Sequence, residues 1–221
     1  MDTRFEPHNT HLEDRDRFAL LDPQLRDLSR QPLVHRSDLL DALPMGKPGI
    51  YSITGGRQIG KTTLLKQWMA ELLHSEVEPR RIAFFTGELI DDHHSLVRLV
   101  AEHLGTMPVG DTRYILLDEI TYTRDWDKGI KYLADAGLVD DTVLLLTGSD
   151  SSIIQEARTR FPGRRGMQDT VDFHVFPLCF AEVVRLKGGI LCDAMDQLID
   201  RRGGAPAPLV ERLFEECDEY L

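Results

Sequence analysis

Cysteine is scarce in this chain, with three residues in all, Cys179, Cys192 and Cys217. No two of them form a C-x-x-C pair, which argues against a zinc framework, and the odd count argues against a closed set of disulfides. A reducing, cytoplasmic setting is therefore expected. Long apolar runs are missing too. None approaches the roughly 18 residues that a membrane helix needs, and Met1–Arg17 is charged and lacks the apolar stretch of a secretory signal. Positive charge is in deficit, with 26 Lys and Arg against 37 Asp and Glu, a formal net charge of −11. That disfavours a protein that coats nucleic acid by bulk electrostatics, while leaving room for a local basic patch. There is no repeat of fixed period and no low-complexity tract.

What is present is a chain of 221 residues with 42% hydrophobic content, enough for one large domain or a domain with an appendage. Its organising stretch is Gly55-Gly56-Arg57-Gln58-Ile59-Gly60-Lys61-Thr62, of the form G-x-x-x-x-G-K-T. Ile50–Thr54 before it reads as a buried strand. Thr62–His74 after it reads as a helix with Leu64, Leu65, Trp68, Leu72 and Leu73 on one side. A strand, a glycine turn and a helix N-terminus make an anion site, because loop N–H groups converge where the helix end carries partial positive charge. Gly55 to Thr63 would cradle phosphates. Lys61 would reach the β- and γ-phosphates, and Thr62 would ligate Mg²⁺.

Further strands are expected at 82–86, 113–119, 142–147 and 171–175, with helices between them at about 93–104, 125–136 and 149–158. The alternation predicts an α/β sandwich: a mostly parallel five-stranded sheet with helices on both faces. Before it, residues 1–17 read as poorly structured. Phe18–Leu28 reads as a docked helix, Leu33–Arg36 as an extended piece, and Ser37–Leu43 as a helical turn capped by Ser37. After it, helices are expected at about 179–187, 193–200 and 208–220.

In such sheets ligands bind at the carboxyl ends of the strands. Three independently found pieces fall on that edge. The first is the glycine loop. The second is Asp118-Glu119, where Asp118 would hold Mg²⁺ with Thr62 and Glu119 would accept a proton from, or orient, the attacking water. The third is Thr147 and Ser149. One of these hydroxyls would sense the γ-phosphate, the other reading of Ser149 being a helix cap. The basic cluster Arg158, Arg160, Arg164 and Arg165 reads as an arginine finger centred on Arg164, as a nucleic-acid contact, or as a solvated loop. His93-His94 is a paired imidazole with no nearby cysteine or third histidine. Trp126 reads as core, and Arg80-Arg81 and Arg201-Arg202 as solvated pairs.

Taken together, Gly55–Leu65, Tyr114–Ile120 with Trp126 after it, Leu146–Ser149 and Val175–Val183 resemble, in order and spacing, the prokaryotic AAA-type predicted ATPases of the P-loop class. The resemblance covers about residues 33–221. It implies a P-loop three-layer sandwich in which the strand ending at Thr147 (the sensor strand) lies between the strand before the glycine loop (Walker A) and the strand ending in Asp118-Glu119 (Walker B). It implies ATP and Mg²⁺ as ligands, Lys61 and Thr62 on phosphates and metal, Asp118 on metal, and Glu119 as the catalytic acid. It also places Ser149 near a sensor position and Arg164 near a finger position. The expected division is an N-terminal extension (1–32), partly disordered or docked as a helix, an ATP-binding core (33–176) and a C-terminal helical segment (177–221). Similar proteins continue further, so that last segment reads as the start of a lid. The function expected is ATP hydrolysis coupled to a partner protein or to a second copy of the chain. A slow-hydrolysing ATP switch, a DNA-associated ATPase and a small-molecule kinase stand as alternatives.

Overall fold

The computed structural model describes residues 2–149 and 170–178, together with 182, 183 and 186. The helices expected after Ser149 and beyond Leu178, and the arginine cluster at 158–165 with Arg164, lie outside the described residues. The elements are α1 (Phe18–Leu21), α2 (Pro23–Ser29), α3 (Leu39–Ala42), β1 (Gly49–Thr54), α4 (Lys61–His74), β2 (Ile82–Thr86), α5 (His93–Leu104), β3 (Arg113–Asp118), α6 (Trp126–Asp135), β4 (Thr142–Gly148) and β5 (Asp172–His174). Two units are distinguished: Met1–Arg30 with Arg36–Phe176, and Gln31–His35 with Pro177–Leu221. All that follows concerns the first.

The five strands form one sheet in the order β2-β3-β4-β1-β5, and every neighbouring pair is parallel. Parallel strands covered on both faces read as continuous apolar runs, and β2 and β4 are buried along their whole length. Successive side chains alternate between faces. Ala83, Phe85, Ile115, Leu117, Leu144 and Leu146 meet α5 and α6 on one side. Phe84, Tyr114, Leu116, Val143 and Leu145 meet α4 and the N-terminal helices on the other. Trp126 belongs to the first face, as core.

Three readings differ from the sequence expectation. Residues 2–17 are ordered: two short 3-10 turns carry Phe5, Asn9 and His11 into buried positions along β2. The expected helix over 18–28 is two helices. It breaks at Asp22, whose carboxylate accepts the N–H groups of Gln24 and Leu25 to cap α2, with Pro23 at its first position. Arg81 is buried, and its guanidinium donates to the carbonyls of Pro108, Val109 and Asp111. That tethers the loop before β3, which a sequence pattern of paired arginines does not reveal.

Candidate functional site

The glycine loop runs from the end of β1 into α4. Its turn demands unusual backbone: Gly60 has φ +89° and the non-glycine Gln58 has φ +60°. Gly55 allows a close approach, since a Cβ there would lie 2.4 Å from Ile59 Cδ1 and 2.6 Å from the Val175 carbonyl oxygen. Gly56, Arg57, Gln58 and Gly60 are exposed, Ile59 and Thr63 half-buried. The first turn of α4 opens on this loop with no side-chain cap. Its free N–H groups are left to an anion.

Lys61 is nearly enclosed, with 3% of its side chain exposed, and its ammonium sits 3.1 Å from Oε1 of Glu119. It also donates to the carbonyls of Gly55 and Gly56 at 3.2 and 2.9 Å. The Thr62 hydroxyl donates to Oδ2 of Asp118 at 2.7 Å. The second oxygen of Asp118 accepts the Thr147 hydroxyl at 2.5 Å. That hydroxyl in turn accepts the Glu119 N–H at 2.9 Å. Ser149 donates to Oε2 of Glu119 at 3.3 Å. Burial pushes the Asp118 carboxyl above the ordinary carboxylate range, opposed by its bonds from Thr147 and Thr62.

Glu119 has left-handed backbone, φ 47° and ψ 44°, rare for a residue with a long side chain. The turn lifts its carboxylate off the end of β3, toward Lys61 and Ser149. Gly87, just after β2, packs behind it: a Cβ on Gly87 would lie 2.5 Å from the Glu119 carbonyl oxygen.

The structure thus brings together Lys61, Thr62, Asp118, Glu119, Thr147 and Ser149, drawn from β1–α4, β3 and β4. It also separates the two hydroxyls that the sequence left open. Thr147 is fully buried and bonded to the acid pair, whereas half-buried Ser149 faces the Glu119 carboxylate. Gly87 is a residue that sequence reasoning missed. Its only signal was a glycine following a strand. The His93 and His94 rings lie with centroids 4.0 Å apart, tilted by 35°, and no cluster of three metal-binding His, Cys, Asp or Glu occurs among the described residues. None of the described helices is long and apolar enough to cross a membrane.

A parallel sheet ordered β2-β3-β4-β1-β5, with a glycine loop on β1 and an acid pair on β3, defines a P-loop nucleotide-binding protein of AAA type. The model of the AAA domain family matches residues 47–184, and the chain belongs to that family. An uncharacterized protein of Methanocaldococcus jannaschii is 25% identical over 153 residues, which are 67% of this chain and 30% of that protein. The chain thus spans less than a third of that relative's length. Among solved structures, Cdc6p from Pyrobaculum aerophilum is similar with a TM-score of 0.45 and 14% identity, over 78% of this chain and 48% of that one. The Aeropyrum pernix ORC2 protein, solved as ADPNP–ADP complexes, is similar with a TM-score of 0.47 and 16% identity, over 67% of this chain and 46% of that one. β4 lies between β1 and β3, the strand order that the resemblance implied.

Proposed function

We propose that this chain binds ATP with Mg²⁺ and hydrolyses it, coupling nucleotide state to a partner protein or a second copy of itself in the cytoplasm. The observation that carries the reading is the meeting of Thr62 with Asp118 at 2.7 Å beside a Lys61 that lies 3.1 Å from Glu119. The donor set suits Mg²⁺. It is all oxygen, one hydroxyl and one carboxylate, and magnesium keeps much of its water and shares few protein ligands. Asp118 is buried and its ordinary charge is disfavoured by that burial, so a divalent cation beside it would favour the carboxylate. When bound, the ion would neutralise charge on the phosphates.

In this reading the loop N–H groups and Lys61 hold the β- and γ-phosphates. Thr62 and Asp118 hold the metal. Glu119 orients the water and takes its proton. Ser149, half-buried beside that carboxylate, is the sensor, and Thr147 fixes the acids from behind.

A second reading has its own observation. Glu119 is held by Lys61 and Ser149 on a left-handed backbone. A carboxylate engaged in this way suits a protein that binds ATP and turns it over slowly, as a switch.

The test is ATP binding and steady-state hydrolysis, with Lys61→Ala as control. Turnover abolished by Lys61→Ala supports the ATPase. Tight binding with negligible turnover supports the switch. A chain that binds no nucleotide refutes both.

A further inference from the structure

The N-terminal residues do more than dock. β2 is the outer strand of the sheet, and an edge strand leaves a row of backbone groups to be satisfied. Residues 5–11 run along that edge in the opposite direction to β2. Asn9, 2% exposed, supplies the central contact: its side-chain carbonyl accepts the Phe84 N–H at 2.8 Å and its amide donates to the Phe84 carbonyl at 2.8 Å. This is the two-bond exchange that a strand residue makes with an antiparallel neighbour, here made by one side chain. His11 Nε2 lies 3.0 Å from the Ile82 carbonyl oxygen. Phe5 packs edge-on against Phe85 on one face of the sheet, and Phe18 joins the core on the other. The segment therefore straps the edge from both sides.

The strap has two further attachments, and both lead to the nucleotide site. Lys66, on the helix that begins with Lys61 and Thr62, is 1% exposed and pairs at 3.0 Å with Asp22, also 1% exposed. Its ammonium also donates to the His8 carbonyl and lies 3.9 Å from the centre of the Phe84 ring. A buried ion pair adds little net stability over an apolar pair of the same shape, but it holds one arrangement against others. At the other end, Arg4 donates to the Leu89 carbonyl at 3.0 Å. Leu89 belongs to the Gly87–Leu89 turn, and Gly87 abuts the backbone of Glu119.

We propose that residues 4–22 form a strap that links the phosphate-loop helix to the turn behind Glu119, so that nucleotide binding and the hold of the strap on the β2 edge are thermodynamically coupled. The proposal rests on the ATP-binding reading above. Coupling is reciprocal: if nucleotide tightens the strap, loosening the strap must weaken nucleotide binding by the same factor.

Hydrogen exchange of the Phe84 amide reads the strap directly, because its partner is Asn9. In the wild-type chain, saturating Mg-ATP is expected to change that exchange by about fivefold or more, the lower end of typical coupling. Asn9→Ala is expected to speed Phe84 exchange without nucleotide, and to shift the ATP dissociation constant by about the factor that ATP exerts on exchange. Arg4→Ala, an exposed and milder change, gives the same reading in smaller measure should Asn9→Ala not fold. If Phe84 exchange ignores ATP while calorimetry shows ATP bound, the coupling is wrong and the ATP site stands. If calorimetry shows no ATP bound, the nucleotide reading falls and the coupling with it, while the Asn9→Ala exchange still reports whether the strap holds the edge.

Discussion

The Thr147 hydroxyl bridges the two acids of the site, donating to Oδ1 of Asp118 at 2.5 Å and accepting the Glu119 N–H at 2.9 Å. One side chain on β4 thereby fixes the direction of the Asp118 carboxylate and the start of the left-handed turn at Glu119. Thr147→Val keeps the shape and removes both bonds. It strands a buried carboxylate oxygen and an N–H, a loss of about 1–3 kcal/mol. Turnover should fall roughly 10-fold or more, since misplacing reacting groups slows chemistry more than it weakens binding. Melting curves and separate measurement of ATP affinity and turnover check this, with Thr147→Ser expected to restore most of the rate. A valine variant with wild-type turnover would remove Thr147 from this role.

Glu119 holds Lys61 at 3.1 Å, so an incoming phosphate competes with it for the ammonium. Glu119→Gln removes that charge while nearly keeping the shape. Turnover is expected to drop by about 10²-fold or more, the contribution of a positioned general base. ATP affinity should stay level or rise, because Lys61 is released from its partner. Single-turnover hydrolysis beside nucleotide titration separates the two effects. Weaker ATP binding in the glutamine variant would contradict the competition.

The sheet and the phosphate loop were legible in the sequence because both rest on local pattern. Apolar runs such as Val143–Leu146 can only be buried strands or short core helices, and the glycine spacing at 55–60 carries its own turn. Asp118 and Glu119 were legible because they end such a run. The strap was not legible. It depends on Phe5, on the amide of Asn9 and on the Asp22–Lys66 pair, single side chains whose partners are far along the chain, 75 residues for Asn9 and Phe84, and set in a stretch whose composition reads as solvated. Lys66 in particular looks like an ordinary helix lysine until its partner is known. The difference between Thr147 and Ser149 was hidden for a related reason: both hydroxyls lie at the end of one strand, and only the acids across from them decide which carboxylate each one meets.

Gly87 has no side chain because the Glu119 turn occupies its place. A Cβ there would lie 2.5 Å from the Glu119 carbonyl oxygen and 2.9 Å from Ile120 Cα, and both are backbone atoms that cannot swing aside. Thr123 Oγ1 donates to the Gly87 carbonyl at 3.3 Å and holds the two turns together. Gly87→Ala must therefore push the Glu119 backbone. Overpacking of this kind costs about 1–3 kcal/mol, and turnover should fall about 10-fold or more, as expected when a catalytic group is displaced. On the proposed reading, in which the loop and Lys61 hold the phosphates, nucleotide affinity should change little. Thermal melts and a kinetic comparison with wild type check it, and an alanine variant with unaltered turnover would show that the turn does not depend on this close approach.

His11 is buried in the strap, edge-on to Phe18 with ring centroids 5.6 Å apart. Its pKa falls to about 4, chiefly because burial disfavours the charged ring. The Ile82 and Pro79 carbonyls and Asp22 oppose that fall, and Lys66 reinforces it. Between an unfolded value near 6.5 and a folded value near 4, the unfolded chain binds more protons than the folded one. Stability therefore rises with pH through that window and is lost as pH falls. Fully expressed, the drop is worth about 3 kcal/mol. His103, beside Phe85, is also lowered to about 4 by burial and adds a slope of the same sign. Denaturation followed from pH 7.5 to 4.5 should show stability declining with acid, and His11→Phe should remove a part of the slope, leaving those of His103 and of His8, which burial also lowers. The protection of the Phe84 amide, taken relative to the intrinsic base-catalysed exchange rate at each pH, should fall at the acid end of the range, as the strap yields before the core. A stability profile in which His11→Phe leaves the slope unchanged would show that the imidazole is solvated, and the packing of the strap at this point would be wrong.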